Sequence, residues 1–264
     1  MTNTTDNPIH TSRNGAILEV TLDRPKANAI DGPTSKLMGD VFAGFRDDPE
    51  LRVAILSAAG ERFFSAGWDL KVAAEGEPPD TDYGVGGFGG LQELPGLNKP
   101  VIAAVNGMAV GGGFELALSC DLIYAAEHAR FALPEINVGV LADAASIKLP
   151  RRIPHHVAMD MLLTGRWMEA EEAARWGLVN EVLPAEVLMN RVREIALLLA
   201  EGPPLVFAAT KETIRMTENL SEQEALQLVN NKGVPSVNAL YASEDLQEGT
   251  RAFAEKRKPV WKGR

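Results

Sequence analysis

The chain has 264 residues, 45% of them hydrophobic and 23% charged, with a formal net charge of −10. That is room for one large domain, or a core with a smaller appendage, of ordinary globular composition. The acidic balance argues against nucleic acid as a partner, because phosphate backbones need a basic face, and no apolar run approaches the ~20 residues that span a bilayer. Cys120 is the single cysteine, so no intrachain disulfide forms and a reducing compartment is expected. Its thiol lies in an apolar stretch and reads as core filler. The polar start, MTNTTDNPIH, lacks the basic and apolar regions of a signal peptide, which makes a cytoplasmic location the expectation.

Taken in order, residues 1–13 read as a frayed tail. Residues 16–22 (AILEVTL) alternate and form a strand that Pro25 ends. A helix starts at Asp31 or Gly32 with Pro33 in its first turn, and Leu37, Met38, Val41, Phe42 and Phe45 fall on one buried face. Residues 53–57 are a second strand, and 60–67 a loop. Residues 72–90 hold eight Gly or Pro in nineteen positions, which predicts a mobile surface loop or lid. Residues 101–105 are a buried strand; a glycine turn then leads into a helix that ends near Cys120. Residues 122–126 and 130–132 are further strands. Up to this point strands alternate with helices, the pattern of an α/β fold with right-handed crossovers. Beyond about residue 143 the periodicity is helical, over 157–163, 169–176, 187–200, 203–217, 222–229 and 245–256, with one strand at 178–182.

Three stretches carry chemistry. In VNGMAVGGGFE, residues 105–115, glycines permit close backbone approach and a helix N-terminus supplies N–H donors beside Glu115. Donors next to a carboxylate suit acid/base work beside a stabilised oxyanion, and equally describe a packed turn with a first-turn Glu. The spacing is neither that of a dinucleotide fingerprint nor of a P-loop. FFSAGWDLK, residues 63–71, places small residues after an aromatic pair. FALPE ends in a second acid, Glu135, behind Pro134.

Together with LDRPKANAI, KPVIAAVNG and AFAEKR, these stretches resemble, in order and over residues 17–264, the crotonase (enoyl-CoA hydratase/isomerase) superfamily. PKANAID, GGFGGL, GGGFELAL and the ending PVWKGR are most similar to its carnitinyl-CoA dehydratase branch. The resemblance implies a crotonase-like α/β spiral of ββα units over residues 1–200 and a helical C-terminal trimerisation region over 201–264. It implies an acyl-CoA substrate, with coenzyme A part of that substrate and no separate cofactor or metal, and a homotrimer or dimer of trimers. The implied oxyanion hole is the backbone N–H of Trp68 and of Gly112. The implied acid/base pair is Glu115 and Glu135. Coenzyme A contacts are implied at Lys26, Ala27, Asn28, Ala66, Asp69, Leu70 and Lys71, with Phe253 and Lys256 closing a neighbouring subunit's site.

This set predicts reversible syn elimination of water from a β-hydroxyacyl-CoA, carnitinyl-CoA to crotonobetainyl-CoA in the branch resembled. Two N–H donors stabilise the enolate oxygen, each worth on the order of 3 kcal/mol in other systems. One carboxylate takes the α-proton and the other protonates the leaving hydroxyl. Trp68, Tyr83 and Phe88 are candidates for a cage around a quaternary ammonium, or simply anchor their loop. The chain departs from the family pattern at GVLADAASIKLP, residues 139–150. Ala142 stands where a Pro is expected, and Ala145-Ser146 where a Gly pair is expected. Added side chains there would narrow the acyl pocket; Asp143 starts the helix, and Ser146 adds a hydroxyl to the water network. The alternatives are a general short-chain 2-enoyl-CoA hydratase or isomerase and, in another class, a non-catalytic CoA-binding or scaffold protein. A peptidase is excluded because none of His10, His128, His155 and His156 lies in the matched stretches.

Overall fold

The computed structural model describes residues 7–76 and 78–264. Its frame is a six-stranded sheet in the order β1 (Ile9–Asn14), β2 (Ile17–Leu22), β4 (Val53–Ala58), β7 (Val101–Val105), β9 (Leu122–Ala126) and β12 (Glu181–Leu183). Only the β1–β2 pair is antiparallel. Between these strands the chain makes shorter ones: β3 (Ala29–Ile30) pairs with β6 (Gly67–Trp68), while β5 (Phe63–Ser65), β8 (Met108–Val110), β10 (Arg130–Ala132) and β11 (Trp167–Glu169) form a four-stranded second sheet. Each turn of the spiral therefore gives one strand to the large sheet, one strand (two, β5 and β6, in the second turn) to the small sheets, and then a helix: α1 (Gly32–Asp47), α2 (Leu70–Ala74), α3 (Gly112–Leu118) and α4 (Asp143–Lys148). The α/β spiral of ββα units expected from the sequence is the observed fold.

Why these residues take these places follows from coverage. β4 and β7 are buried along their whole length, as strands covered on both faces must be, and both read as continuous apolar runs. α1 begins where Asp31 accepts a hydrogen bond from Thr34 N at 2.9 Å, capping an otherwise orphaned donor, and buries Met38, Phe42 and Phe45. Next in the chain come α5 (His155–Thr164) and α6 (Ala170–Arg175), then α7 (Ala185–Ala200), which packs on β4, β7 and β9. Of the remaining helices, α8 (Pro204–Thr217), α9 (Glu222–Asn230) and α10 (Pro235–Tyr241) share a small separate cluster around Ala209, Val234 and Val237, and α11 (Glu244–Ala254) packs against α10. Among the described residues no helix is long and apolar enough to cross a membrane.

Several local expectations are corrected. The tail predicted over 1–13 is ordered from Ile9, where β1 pairs with β2; residues 1–6 lie outside the described residues. Only Ile9 of β1 is buried, so this edge strand is held by backbone pairing and shows no alternation to read. The stretch 72–90, expected as a mobile loop, opens on α2 and closes with residues 86–90 buried or half-buried against α1; residue 77 lies outside the described residues. Its glycines serve close packing as well as turning. The strand expected at 178–182 forms at Glu181–Leu183, because Leu178 and Val179 are core anchors of the turn before it. β5, β6, β8 and β11 have two or three residues each, too few to show a period.

One side chain ties the second turn of the spiral to the first. Arg24 donates to Ala29 O at 3.0 Å, to Asp69 Oδ2 at 2.5 Å and to Asp31 Oδ2 at 2.8 Å, joining the caps of α1 and α2. Burial pushes the Asp69 carboxyl up, but the bonds from Arg24 and from the Lys71 and Val72 N–H groups outweigh it and leave it below its ordinary value. A depressed carboxyl stabilises the fold above its unfolded pKa and loses that contribution as pH falls. Arg24→Ala, which strands two part-buried carboxylates, is therefore expected to lower the unfolding free energy by roughly 2 kcal/mol at neutral pH. Denaturation followed by circular dichroism should show the difference shrinking as the pH is lowered through the carboxylate range.

Candidate active site

The site forms where two loops of the spiral meet the start of α3. Gly67 has a φ of 77°, and a Cβ there would lie 2.6 Å from Val110 O and 2.7 Å from Gly112 N. Only glycine permits this approach, and it sets the peptide of Trp68 beside the first peptides of α3. Ser65, fully buried, fixes the same loop: its Oγ donates to Asn28 O at 2.7 Å and accepts from Gly67 N at 3.1 Å. The two expected oxyanion donors, Trp68 and Gly112, thus come together from segments 44 residues apart in sequence, and both line one cleft of about 310 Å3.

Glu115 sits in the first turn of α3, 5% exposed. Its Oε1 accepts from Ala145 N at 2.8 Å and its Oε2 from Gln92 Nε2 at 3.3 Å. Burial raises its pKa, and the nearby charge of Asp143 adds to this; the bonds from Ala145 and Gln92, and the charge of Lys148, act the other way without cancelling it. Glu135 follows β10 in a single 3-10 turn. Its Oε2 is buried with no hydrogen-bond partner, and its Oε1 lies over Gly111, where a Cβ would stand 2.6 Å away. Burial, with the charges of Glu115 and Asp143 against the pull of its own N–H, raises this carboxyl to about 7. The two acids therefore face one cleft in different environments: both Glu115 oxygens accept from N–H donors, whereas one Glu135 oxygen has no partner.

The other walls are aromatic and acidic. Trp68, Tyr83 and Phe88 line the cleft, with Tyr83 edge-on to Phe88 at 5.3 Å and donating its hydroxyl to Pro79 O at 3.2 Å. Besides the two glutamates, Asp80, Glu93 and Asp143 line it, and among the described lining residues there is no lysine or arginine. Gln92, Glu93 and Asp80 were not legible as site residues, because a lone polar residue in a loop carries no pattern. Among the described residues no group of His, Cys, Asp or Glu is placed to hold a metal ion. Cys120 is buried and its thiol is pushed up to about 12, as core filler should be.

Of the remaining sequence candidates, Lys26, Leu70 and Lys71 are exposed on the same edge as Ala27 and Ala66, which are joined by an Ala66 N to Ala27 O bond of 2.9 Å. Asn28 and Asp69 are spoken for: Asn28 Nδ2 donates to Ala59 O and Phe63 O, both at 3.0 Å, and Asp69 holds Arg24. Phe253 and Lys256 are exposed at the far end of α11. The 139–150 expectations need correction. Ser146 is not among the residues lining the cleft; it follows Ala145 on α4, about 100° around the helix. Nor do the side chains of Ala142 and Ala145 narrow the pocket, since both are buried in the core behind it. What the segment supplies is a peptide N–H to Glu115 and the carboxylate of Asp143.

With this geometry in hand, comparison with known proteins is direct. The family described as enoyl-CoA hydratase/isomerase matches residues 12–264. The chain is 55% identical over 257 residues to a carnitinyl-CoA dehydratase of Citrobacter koseri and to one of Escherichia coli (strain K12), covering 97% of this chain and 98% of each relative. It superposes on the crystal structure of enoyl-CoA hydratase from Mycobacterium tuberculosis H37Rv with a TM-score of 0.89 at 34% identity, over 98% of this chain and 100% of that one. The chain belongs to the enoyl-CoA hydratase/isomerase family.

Proposed function

We propose that the chain catalyses the reversible dehydration of carnitinyl-CoA to crotonobetainyl-CoA and water, as a hydro-lyase of acyl-CoA thioesters. The observation that carries the acyl group is the wall of the cleft: five carboxylate residues and three aromatic rings, with no cation among the described lining residues. Carnitine's own carboxylate is consumed in the thioester, so its acyl group carries the single positive charge of a quaternary ammonium. That group has no N–H to donate, and negative charge with ring faces is what attracts it. The names of the relatives at 55% identity support the same reading.

The chemistry assigns a role to each part. Backbone N–H groups of Trp68 and Gly112 polarise the thioester oxygen and stabilise the enolate. In hydration Glu115, ionised and held by Ala145 and Gln92, takes a proton from water as its oxygen bonds to Cβ, while Glu135 delivers its proton to Cα. In dehydration the two exchange protonation states: Glu135 removes the α-proton and Glu115 protonates the departing hydroxyl. Both carboxyls open on one cleft, which supports syn stereochemistry. Exposed Lys26 and Lys71 suit the phosphates of coenzyme A, with Ala27, Ala66 and Leu70 beside them; Asn28 and Asp69 shape that edge through their own hydrogen bonds. Exposed apolar side chains on the C-terminal helices, among them Ile214, Leu226, Tyr241 and Phe253, support a homotrimer or dimer of trimers in which Phe253 and Lys256 reach a neighbour's coenzyme A. The oxyanion and acid/base machinery serves a neutral short-chain enoyl-CoA equally well, so the acyl group separates the two readings.

Three outcomes are expected. Glu115→Gln and Glu135→Gln, assayed separately by absorbance of the conjugated thioester, should each lower kcat by at least ~100-fold; near wild-type turnover in either ends the two-carboxylate mechanism. Carnitinyl-CoA should exceed its neutral tert-butyl isostere by ~10-fold or more in kcat/KM, and equal rates would return the substrate to the general hydratase class. Glu135 also makes a claim on stability. Its folded pKa of about 7 stands above the ordinary 4.5, so the fold favours the protonated form and loses that contribution as pH rises through 7. Relative to wild type, Glu135→Gln should gain on the order of 2 kcal/mol between acid and alkaline conditions, after allowance for partial solvent access, read from denaturant midpoints across pH.

A further inference from the structure

Lys148 is a half-buried lysine that no step above uses. It ends α4, about one turn beyond the Ala145 N–H that holds Glu115. Its Nζ donates to Ser119 Oγ at 2.8 Å and to Gln92 O at 3.4 Å. Ser119 Oγ in turn donates to Glu115 O at 2.8 Å, and Gln92 Nε2 donates to Glu115 Oε2 at 3.3 Å. Both partners of the lysine are therefore also partners of Glu115, one gripping its main chain and one its carboxylate. Among the described residues no carboxylate stands within 4.0 Å of Nζ, so the ammonium is not neutralised by an ion pair of its own. A part-buried charge without a direct counter-ion acts on the acids around it at higher strength than a solvated one.

We propose that Lys148 is a positioning residue that orients the Glu115 carboxylate through Ser119 and Gln92 and sets a positive charge behind it. This inference rests on the two-glutamate reading and adds to it the cation that separates the two acids. The neighbouring charges are consistent. On Glu115, Asp143 opposes ionisation and Lys148 favours it, and Glu135 faces it across the cleft, each carboxylate disfavouring the other's charge. Lys148 itself is pushed down by burial and by Arg152, and pulled up by Glu115, Cys120 and Glu93; of these Cys120 is uncharged at neutral pH, since its thiol sits at about 12. Glu135 has no counterpart to Lys148. The charges acting on its carboxyl are those of Glu115 and Asp143, with only its own N–H opposing them, whereas Glu115 has a lysine behind it and two N–H donors in front.

The test is the pH dependence of kcat/KM for hydration in Lys148→Met, Lys148→Gln and Lys148→Arg. Met keeps the stem without charge, Gln keeps hydrogen bonding without charge, and Arg restores the charge. Without the cation Glu115 holds its proton more tightly, so the acid limb of the profile should move to higher pH by roughly 0.5 to 1 unit in both neutral variants and return to the wild-type position with Arg. A lysine that merely braces the fold would lower the denaturant midpoint and the amplitude while leaving the limb where it was, and that result overturns the inference. Glu115→Gln, measured alongside, distinguishes the two failures. An inactive Glu115→Gln with an unmoved limb in both neutral lysine variants sinks the role of Lys148 alone. An active Glu115→Gln sinks the acid/base reading and this inference with it.

Discussion

The contact on which the site depends is backbone against backbone. β6 lies on the start of α3 so closely that a single Cβ at Gly67 would overlap Val110 O and Gly112 N. No side-chain interaction sets a position as firmly as two main chains at van der Waals distance inside a covered core. The large sheet holds β7 from one side, and the shared hydrogen bonds of Ser65 and Asn28 hold the approach to β6 from the other. Arg24 then locks the residue after Trp68 to the cap of α1. On the proposed reading, a thioester oxygen meets two N–H groups whose separation is a property of the fold, which is what preorganised stabilisation of charge requires.

Around that fixed point the electrostatics are graded. Glu115 and Glu135 are both acids in a dry place, and burial alone would raise both. The hydrogen bonds from Ala145 and Gln92 oppose this for Glu115, while Glu135 keeps an unpartnered oxygen and rises to about 7. Like charges in one cleft push their titrations apart, and the donors decide which of the two raised carboxyls is held back. The cleft wall then adds Asp80, Glu93 and Asp143, with no lysine or arginine among the described lining residues. Such a wall disfavours an anionic acyl chain and is matched by a cationic one, so the same field that tunes the acids also supports a choice of substrate.

Much of this was legible in the sequence. The apolar runs that became β4 and β7, the alternation in β2, the capped start of α1 and the strand–helix rhythm each follow from local chemistry, and they led to the α/β class; the spiral of ββα units came only with the family resemblance. The glycine turn before Glu115 and the acid after Pro134 were visible as candidates because rare residue patterns mark strained or crowded backbone. Residue 9 onward in β1, the placement of β12 and the existence of β5, β8, β11 and α10 were not legible. Those elements are too short or too exposed to carry a period, and only their partners hold them.

By itself the sequence determined the α/β class of fold and the covered strands, since these depend on local propensity, and its resemblance to a family marked Glu115 and Glu135 as the candidate acids. The tertiary structure decided what the acids can do. Gln92 comes to Glu115 from a loop and Ala145 from α4, with Lys148 of α4 behind Gln92 and Ser119, and nothing local to any of them announces it. Ser146, expected at the pocket, turns away because the helical period of α4 sends it elsewhere, while the Ala145 peptide beside it, featureless in the sequence, makes the bond that counts. The physical reason is the same throughout: hydrogen bonding and desolvation are decided by which groups share a space, and in a spiral of ββα units the residues that share one come from successive turns.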